Sequence, residues 1–114
     1  PAAVEAARPA VFAASRFVEE AANREPDLLP GLAASGALAR PRAPGEIGEL
    51  ASAIVAADEA GFMDALRRLR RHELVRIAWR DLTGAATLGE TLAETSALAD
   101  AAIATALAFA NRAL

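Results

Sequence analysis

The chain has 114 residues, 12 basic and 15 acidic groups, a formal charge of −3 and an isoelectric point near 5.1. With no cysteine it can form neither disulfides nor thiolate metal sites, and with His72 as its one histidine it can build no multi-histidine metal site. At 54% apolar and 24% charged it reads as a globular domain of the reducing cytoplasm, with no apolar run near the ~20 residues of a bilayer span and no signal peptide.

Alanine, leucine, glutamate and arginine dominate, and tyrosine is absent, which favours helix throughout. A first helix is predicted over about 9–24, where Val11, Ala14, Val18, Ala21 and Ala22 recur at helical spacing opposite Arg16, Glu19, Glu20 and Asn23. Pro9 suits its first turn, and Pro26 disfavours helix at Glu25. A short helix over about 26–35 follows, with Pro30 as its weak point and Gly36 where a left-handed cap belongs. Residues 37–45 hold Pro41, Pro44, Gly45, Arg40 and Arg42 and read as a loop. A third helix is expected over about 46–57, with Ile47, Leu50, Ile54 and Ala57 on one stripe. A fourth runs over about 58–83 and stops at Gly84, and a fifth over about 87–112 opens with Thr87 and Glu90 as a capping box. The expected architecture is all-α, a single bundle of four to five helices spanning 1–114, with two long C-terminal helices.

The fourth helix changes character halfway. Phe62, Leu66 and Leu69 face inward in its first half, with Asp64, Arg67, Arg68 and Arg71 outward. In its second half Leu74, Val75, Ile77, Ala78, Trp79 and Leu82 cover most of the circumference, so this stretch wants neighbours on several sides. Glu73, Arg76 and Arg80 nevertheless continue the inward line as a polar stripe. Burying two arginines costs several kcal/mol unless carboxylates or carbonyls answer them. Glu73 and Asp81 are the nearest candidates. Arg76 and Arg80 either close an intrachain ion-pair network, face solvent, or meet another domain or an anionic ligand. Glu73, Arg76, Trp79, Arg80 and Asp81 are therefore the candidate interdomain or partner contacts. In the fifth helix Leu88, Leu92, Ala99, Ile103, Ala106, Ala110 and Leu114 follow one face and Leu98, Ala102 and Phe109 a neighbouring one, as expected of a central packing helix, or else of a dimer or domain seam.

Chemistry of other kinds is missing from the pattern. Six arginines against three acids give 62–82 a local charge of +3 and leave −6 elsewhere, but few aromatics accompany them, which argues against nucleic-acid binding. No glycine loop cradles phosphate, and Ser15, Ser35, Ser52 and Ser96 lack a glycine elbow. Neighbouring carboxylates such as Glu19-Glu20 and Asp58-Glu59 diverge on a helix and do not converge on a metal. No self-sufficient catalytic, cofactor or metal site emerges.

Ser15-Arg16-Phe17-Val18, Asn23-Arg24-Glu25-Pro26-Asp27-Leu28-Leu29, Leu66 to Leu82 with its Arg76-Ile77-Ala78-Trp79-Arg80-Asp81-Leu82 string, Glu90-Thr91-Leu92 and Ser96-Ala97-Leu98-Ala99-Asp100 occur in that order. Together, over roughly 11–110, they resemble the N-terminal region of bacterial glutamine synthetase adenylyltransferase, the bifunctional adenylyltransferase/adenylyl-removing enzyme. The resemblance implies two nucleotidyltransferase halves that use ATP, ADP and magnesium. One adds AMP to a tyrosine of glutamine synthetase and the other removes it by phosphorolysis, under a PII-type signalling protein and glutamine. The Ala78-Trp79-Arg80-Asp81 form is more like the first, adenylyl-removing half. The family's glycine-rich Gly-x-Gly-Lys-Leu-Gly-Gly stretch and its Ser-Asp-Ile-Asp metal carboxylates are not in these 114 residues, so no catalytic residue carries over. The resemblance implies an inactive helical scaffold, excised or processed from a longer chain since it opens at Pro1, whose partner is the nucleotidyltransferase domain of that chain. The alternative is a free-standing helical interaction module that docks an acidic partner through Arg67, Arg68, Arg70 and Arg71.

Overall fold

A computed structural model describes residues 2–113, with side chains through 112, as six helices: α1 Ala2–Ala14, α2 Arg16–Arg24, α3 Leu28–Ala34, α4 Glu46–Ser52, α5 Glu59–Leu82 and α6 Leu88–Ala113. No strand occurs among the described residues. The all-α class and the two long C-terminal helices are as expected, but the helices number six because the first predicted element is two. Ser15 breaks it: its backbone is extended, and its hydroxyl accepts the Val18 N–H at 3.2 Å as the N-cap of α2. The helix before it begins at Ala2, so Pro9 lies inside α1 and not in a first turn. Pro30, by contrast, occupies the third position of α3, where its missing N–H has no helical partner to lose.

The stops follow local chemistry. At Gly36 (φ 80°) and Gly84 (φ 76°) the chain turns left-handed, and Ala37 N–H then reaches the Leu32 carbonyl and Ala85 N–H the Arg80 carbonyl, both at 2.9 Å. Helix α4 ends at Ser52, short of the predicted 57, because the Ser52 hydroxyl folds back on the Gly48 and Glu49 carbonyls. Val55 beyond it is 94% exposed, and Leu50 and Ala57 also leave the expected stripe. Asp58 caps α5 by accepting the Gly61 N–H at 2.8 Å. Asp58→Ala is expected to cost about 0.5–2 kcal/mol, which urea unfolding followed by circular dichroism would measure.

Helix α5 is the centre of the bundle. On one side Val75 and Trp79 join Val11, Val18, Ala21, Ala22, Leu28, Leu29 and Leu38. On the other, Ile77 packs with Ile47 and Ala51 of α4 and Leu98 and Ala101 of α6. Phe62 is buried near the far end, stacked on Phe109 with ring centroids 4.1 Å apart.

The expectation for α6 is corrected. Its inward face is the one carrying Glu94, Leu98 and Ala101, while Leu88 (71% exposed), Leu92 (59%), Ile103 (61%) and Leu107 (59%) face outward. Leu114, expected on the same packing face as Leu88, lies outside the described residues. By length and composition alone α6 is also long and apolar enough to cross a membrane, because alanine raises mean hydropathy without forming a continuous bulky run.

Candidate functional site

Between the two apolar clusters, the polar stripe of α5 forms the middle of an arginine–glutamate lattice. Glu73, Arg76, Arg80 and Glu94 are all buried, and Arg76 is fully so. Arg76 Nε donates to Glu73 Oε1 at 3.1 Å, and its Nη2 donates to Glu94 Oε1. From the loop, Arg42 grips the same Glu73 with two bonds, Nε to Oε1 at 3.0 Å and Nη2 to Oε2 at 2.8 Å. The Arg42 N–H donates to Glu94 Oε2 at 3.0 Å, and its Nη1 donates to Glu46 Oε2 at 2.8 Å. Glu46 in turn accepts from both terminal nitrogens of Arg40, each at 3.1 Å, and from the Ala43 N–H at 2.8 Å. Arg80 closes the upper end, with Nε to Glu90 Oε2 at 3.0 Å, Nη1 to the Leu38 carbonyl at 3.1 Å and Nη2 to the Ala85 carbonyl at 3.3 Å. Four arginines meet four glutamates, so the lattice is neutral as a whole. Only Arg76 Nη1 among its polar atoms is buried without a partner.

The lattice helps to fix the register of α6. That helix turns Leu98, Ala101 and Phe109 inward, and a slide by one turn would take them from their partners. Arg76–Glu94 and Arg80–Glu90 penalise such a slide, since each arginine would leave its carboxylate. The pattern was present in the sequence. Arg76 and Arg80 are four residues apart on α5, Glu94 and Glu90 four apart on α6, and both pairs are symmetric about Ala85 in the turn. The predicted capping box is half formed: the Thr87 hydroxyl accepts the Glu90 N–H at 3.1 Å, while the Glu90 carboxylate is turned to Arg80.

Of the predicted contact residues, Glu73, Arg76 and Arg80 come together in the lattice, and Trp79 is buried beside it in the first apolar cluster. Asp81 does not join them. It is exposed, and its Oδ1 meets the Thr91 hydroxyl at 3.4 Å. A helical neighbour sits about 100° away from Arg80, whereas Glu90 and Glu94 face it across the antiparallel pair. The lattice members Arg42 and Glu46 were unreadable from the sequence because loop geometry alone brings residue 42 to residue 73. Elsewhere, the arginine ridge is partly answered at its base. Arg71 and Arg68 lie 3.1 and 3.7 Å from the Glu25 carboxylate, with His72 Nε2 at 2.8 Å. Burial raises the pKa of Glu25, but His72, Arg71 and Arg68 outweigh it and leave the carboxyl below its ordinary value.

Glu46 carries the clearest electrostatic signature. Its bond from Arg40, then the Ala43 N–H and Arg42, lower its pKa from 4.5 to about 2. The same pairing raises Arg40, and the Glu73 bonds raise Arg42 despite its burial. A carboxyl depressed on folding stabilises the fold above its unfolded pKa, and that contribution is lost as pH falls through the folded one. Stability is therefore expected to decline between about pH 4.5 and 2. Urea titrations across that window should show a shallower decline for Glu46→Gln than for the parent chain.

The lattice is suited to holding elements together, since it ties the loop, α4, α5 and α6 to one another. Its carboxylates are committed to arginines, and no nucleophile or unengaged base adjoins them. Among the described residues there is no group of three His, Asp or Glu side chains that could hold a metal ion.

Comparisons with known proteins agree over most of the chain. The family model for glutamate-ammonia ligase adenylyltransferase matches residues 7–114. The chain belongs to the glutamate-ammonia ligase adenylyltransferase family. It is 47% identical over 103 residues to the bifunctional glutamine synthetase adenylyltransferase/adenylyl-removing enzyme of Thioalkalivibrio sulfidiphilus, covering 89% of this chain and 11% of that protein. The proteins of the same name from Pseudomonas putida and Pseudomonas aeruginosa are 50% and 47% identical over 95 residues, covering 82% of this chain and 10% of each. The adenylyltransferase-family chain thus spans about a tenth of the length of these curated relatives. No solved structure matches it.

Proposed function

We propose that this chain is a helical scaffold segment of a bifunctional enzyme that adenylylates and deadenylylates glutamine synthetase, that it belongs to the adenylyl-removing half, and that it has no activity alone. The observation that carries the reading is the combination of family membership with an interior whose ionisable groups are all spent on one another. A segment built this way holds helices at fixed angles and leaves nucleotide, magnesium, glutamine synthetase and the PII-type protein to the rest of a cytoplasmic polypeptide. The Arg76-to-Leu82 string supports placement in the first half. Purified 114-residue chain, mixed with adenylylated glutamine synthetase, phosphate and magnesium, is expected to release no ADP. Turnover above a blank containing heat-denatured chain would sink the proposal.

A further inference from the structure

The buried lattice has a consequence for where the remainder of such an enzyme attaches. Arg76, Arg80, Glu73 and Trp79 are enclosed within the bundle. The described surface instead offers the outward side of α6. Leu88, Leu92, Ile103 and Leu107, with Thr95, Ser96, Ala99 and Ala106 between them, form a strip about 28 Å long at the ~1.5 Å rise per residue of a helix. No charged residue interrupts it. The ionisable residues of α6 are Glu90 and Glu94, which point inward to the arginines, Asp100 at the strip's edge, and Arg112 near the far end. Large apolar side chains grouped on one exposed helix face mark contact sites. Alternating small and bulky residues let a second helix approach closely.

We propose that this strip is the seat of an apolar helix from the same, longer polypeptide; the inference rests on reading the chain as a segment of the larger enzyme. Relatives with about nine-tenths of their length outside the matched region supply the occupant. A tethered helix needs little area, because the connection gives it a high effective concentration. A second copy of the chain lacks that advantage. A span of a bilayer by α6 would have to take in Glu90 and Glu94 with their arginines, which is costly.

Carbene footprinting read by mass spectrometry tests this directly, comparing the 114-residue chain with the longer polypeptide its gene encodes. In the 114-residue chain Leu92, Ile103 and Leu107 should label strongly, with buried Leu98 as the low reference. In the longer polypeptide their labelling should fall to the level of Leu98. Equal labelling in both overturns the inference and leaves the scaffold reading standing, because the ADP-release assay decides that independently. Protection already present in the 114-residue chain also overturns it: a dimeric mass by light scattering would assign the strip to a second copy, and flotation with phosphatidylethanolamine/phosphatidylglycerol vesicles would assign it to a membrane. A gene that ends at this segment would remove both the inference and the reading beneath it.

Discussion

Arg76→Met is expected to destabilise the bundle by about 3–5 kcal/mol, the range for removing one partner of a buried ion pair. The reason is what remains. Glu73 keeps its two bonds from Arg42, but Glu94, buried on α6, loses its Arg76 partner and retains only the Arg42 N–H. An uncompensated carboxylate in that position must draw in water, take up a proton or pull α6 away from α5. Urea unfolding should show the loss, with the melting temperature lower by roughly 10–20 °C. Arg76→Met combined with Glu94→Leu should recover a substantial part of it, since replacing both charges with apolar groups removes the stranded anion. If the double variant is no more stable than the single one, the cost lies in packing around Arg76 and not in the orphaned charge.

Trp79→Ala should have an effect of similar size, about 3–5 kcal/mol, from lost transfer free energy plus the cavity left behind. The indole is 4% exposed and touches the cluster formed by α1, α2, α3 and Leu38, so its removal opens the seam that holds the first three helices to α5. Those helices are short and have little else to hold them, since helices below about 15 residues are marginal on their own. The expected signature is loss of helix in the N-terminal third at lower urea than in α5 and α6, read by hydrogen exchange. Uniform loss of protection across the chain would show that the two clusters unfold as one unit. Together, the Arg76 and Trp79 variants probe the two ways α5 organises its neighbours: a polar seam that fixes register and an apolar one that supplies adhesion.

Much of this organisation is legible in the residues. Helical periodicity marks α5 and α6, Gly36 and Gly84 mark two stops, and the Glu73, Arg76, Arg80 stripe among apolar neighbours announces charges needing an answer. The resemblance carried by the 76–82 string agrees with the family match. These features are local: each depends on residues within a turn or two of one another, where backbone geometry alone sets who is near whom.

The answers to those needs depended on the fold. The apolar faces of α6 pointed to a central helix, yet Leu88, Leu92, Ile103 and Leu107 face outward, because an alanine-rich helix has several plausible inner faces and the partners Arg76, Arg80, Ile77 and Phe62 choose among them. Arg42 reaches Glu73 across 31 positions of sequence through a proline-bounded loop, a closure that no periodicity encodes. Local chemistry determined most of the helical segments and marked two arginines, set among apolar neighbours, that would need an answer. Tertiary packing decided which carboxylates hold them, since that choice depends on distances the chain acquires only once α4, α5 and α6 have closed around one another.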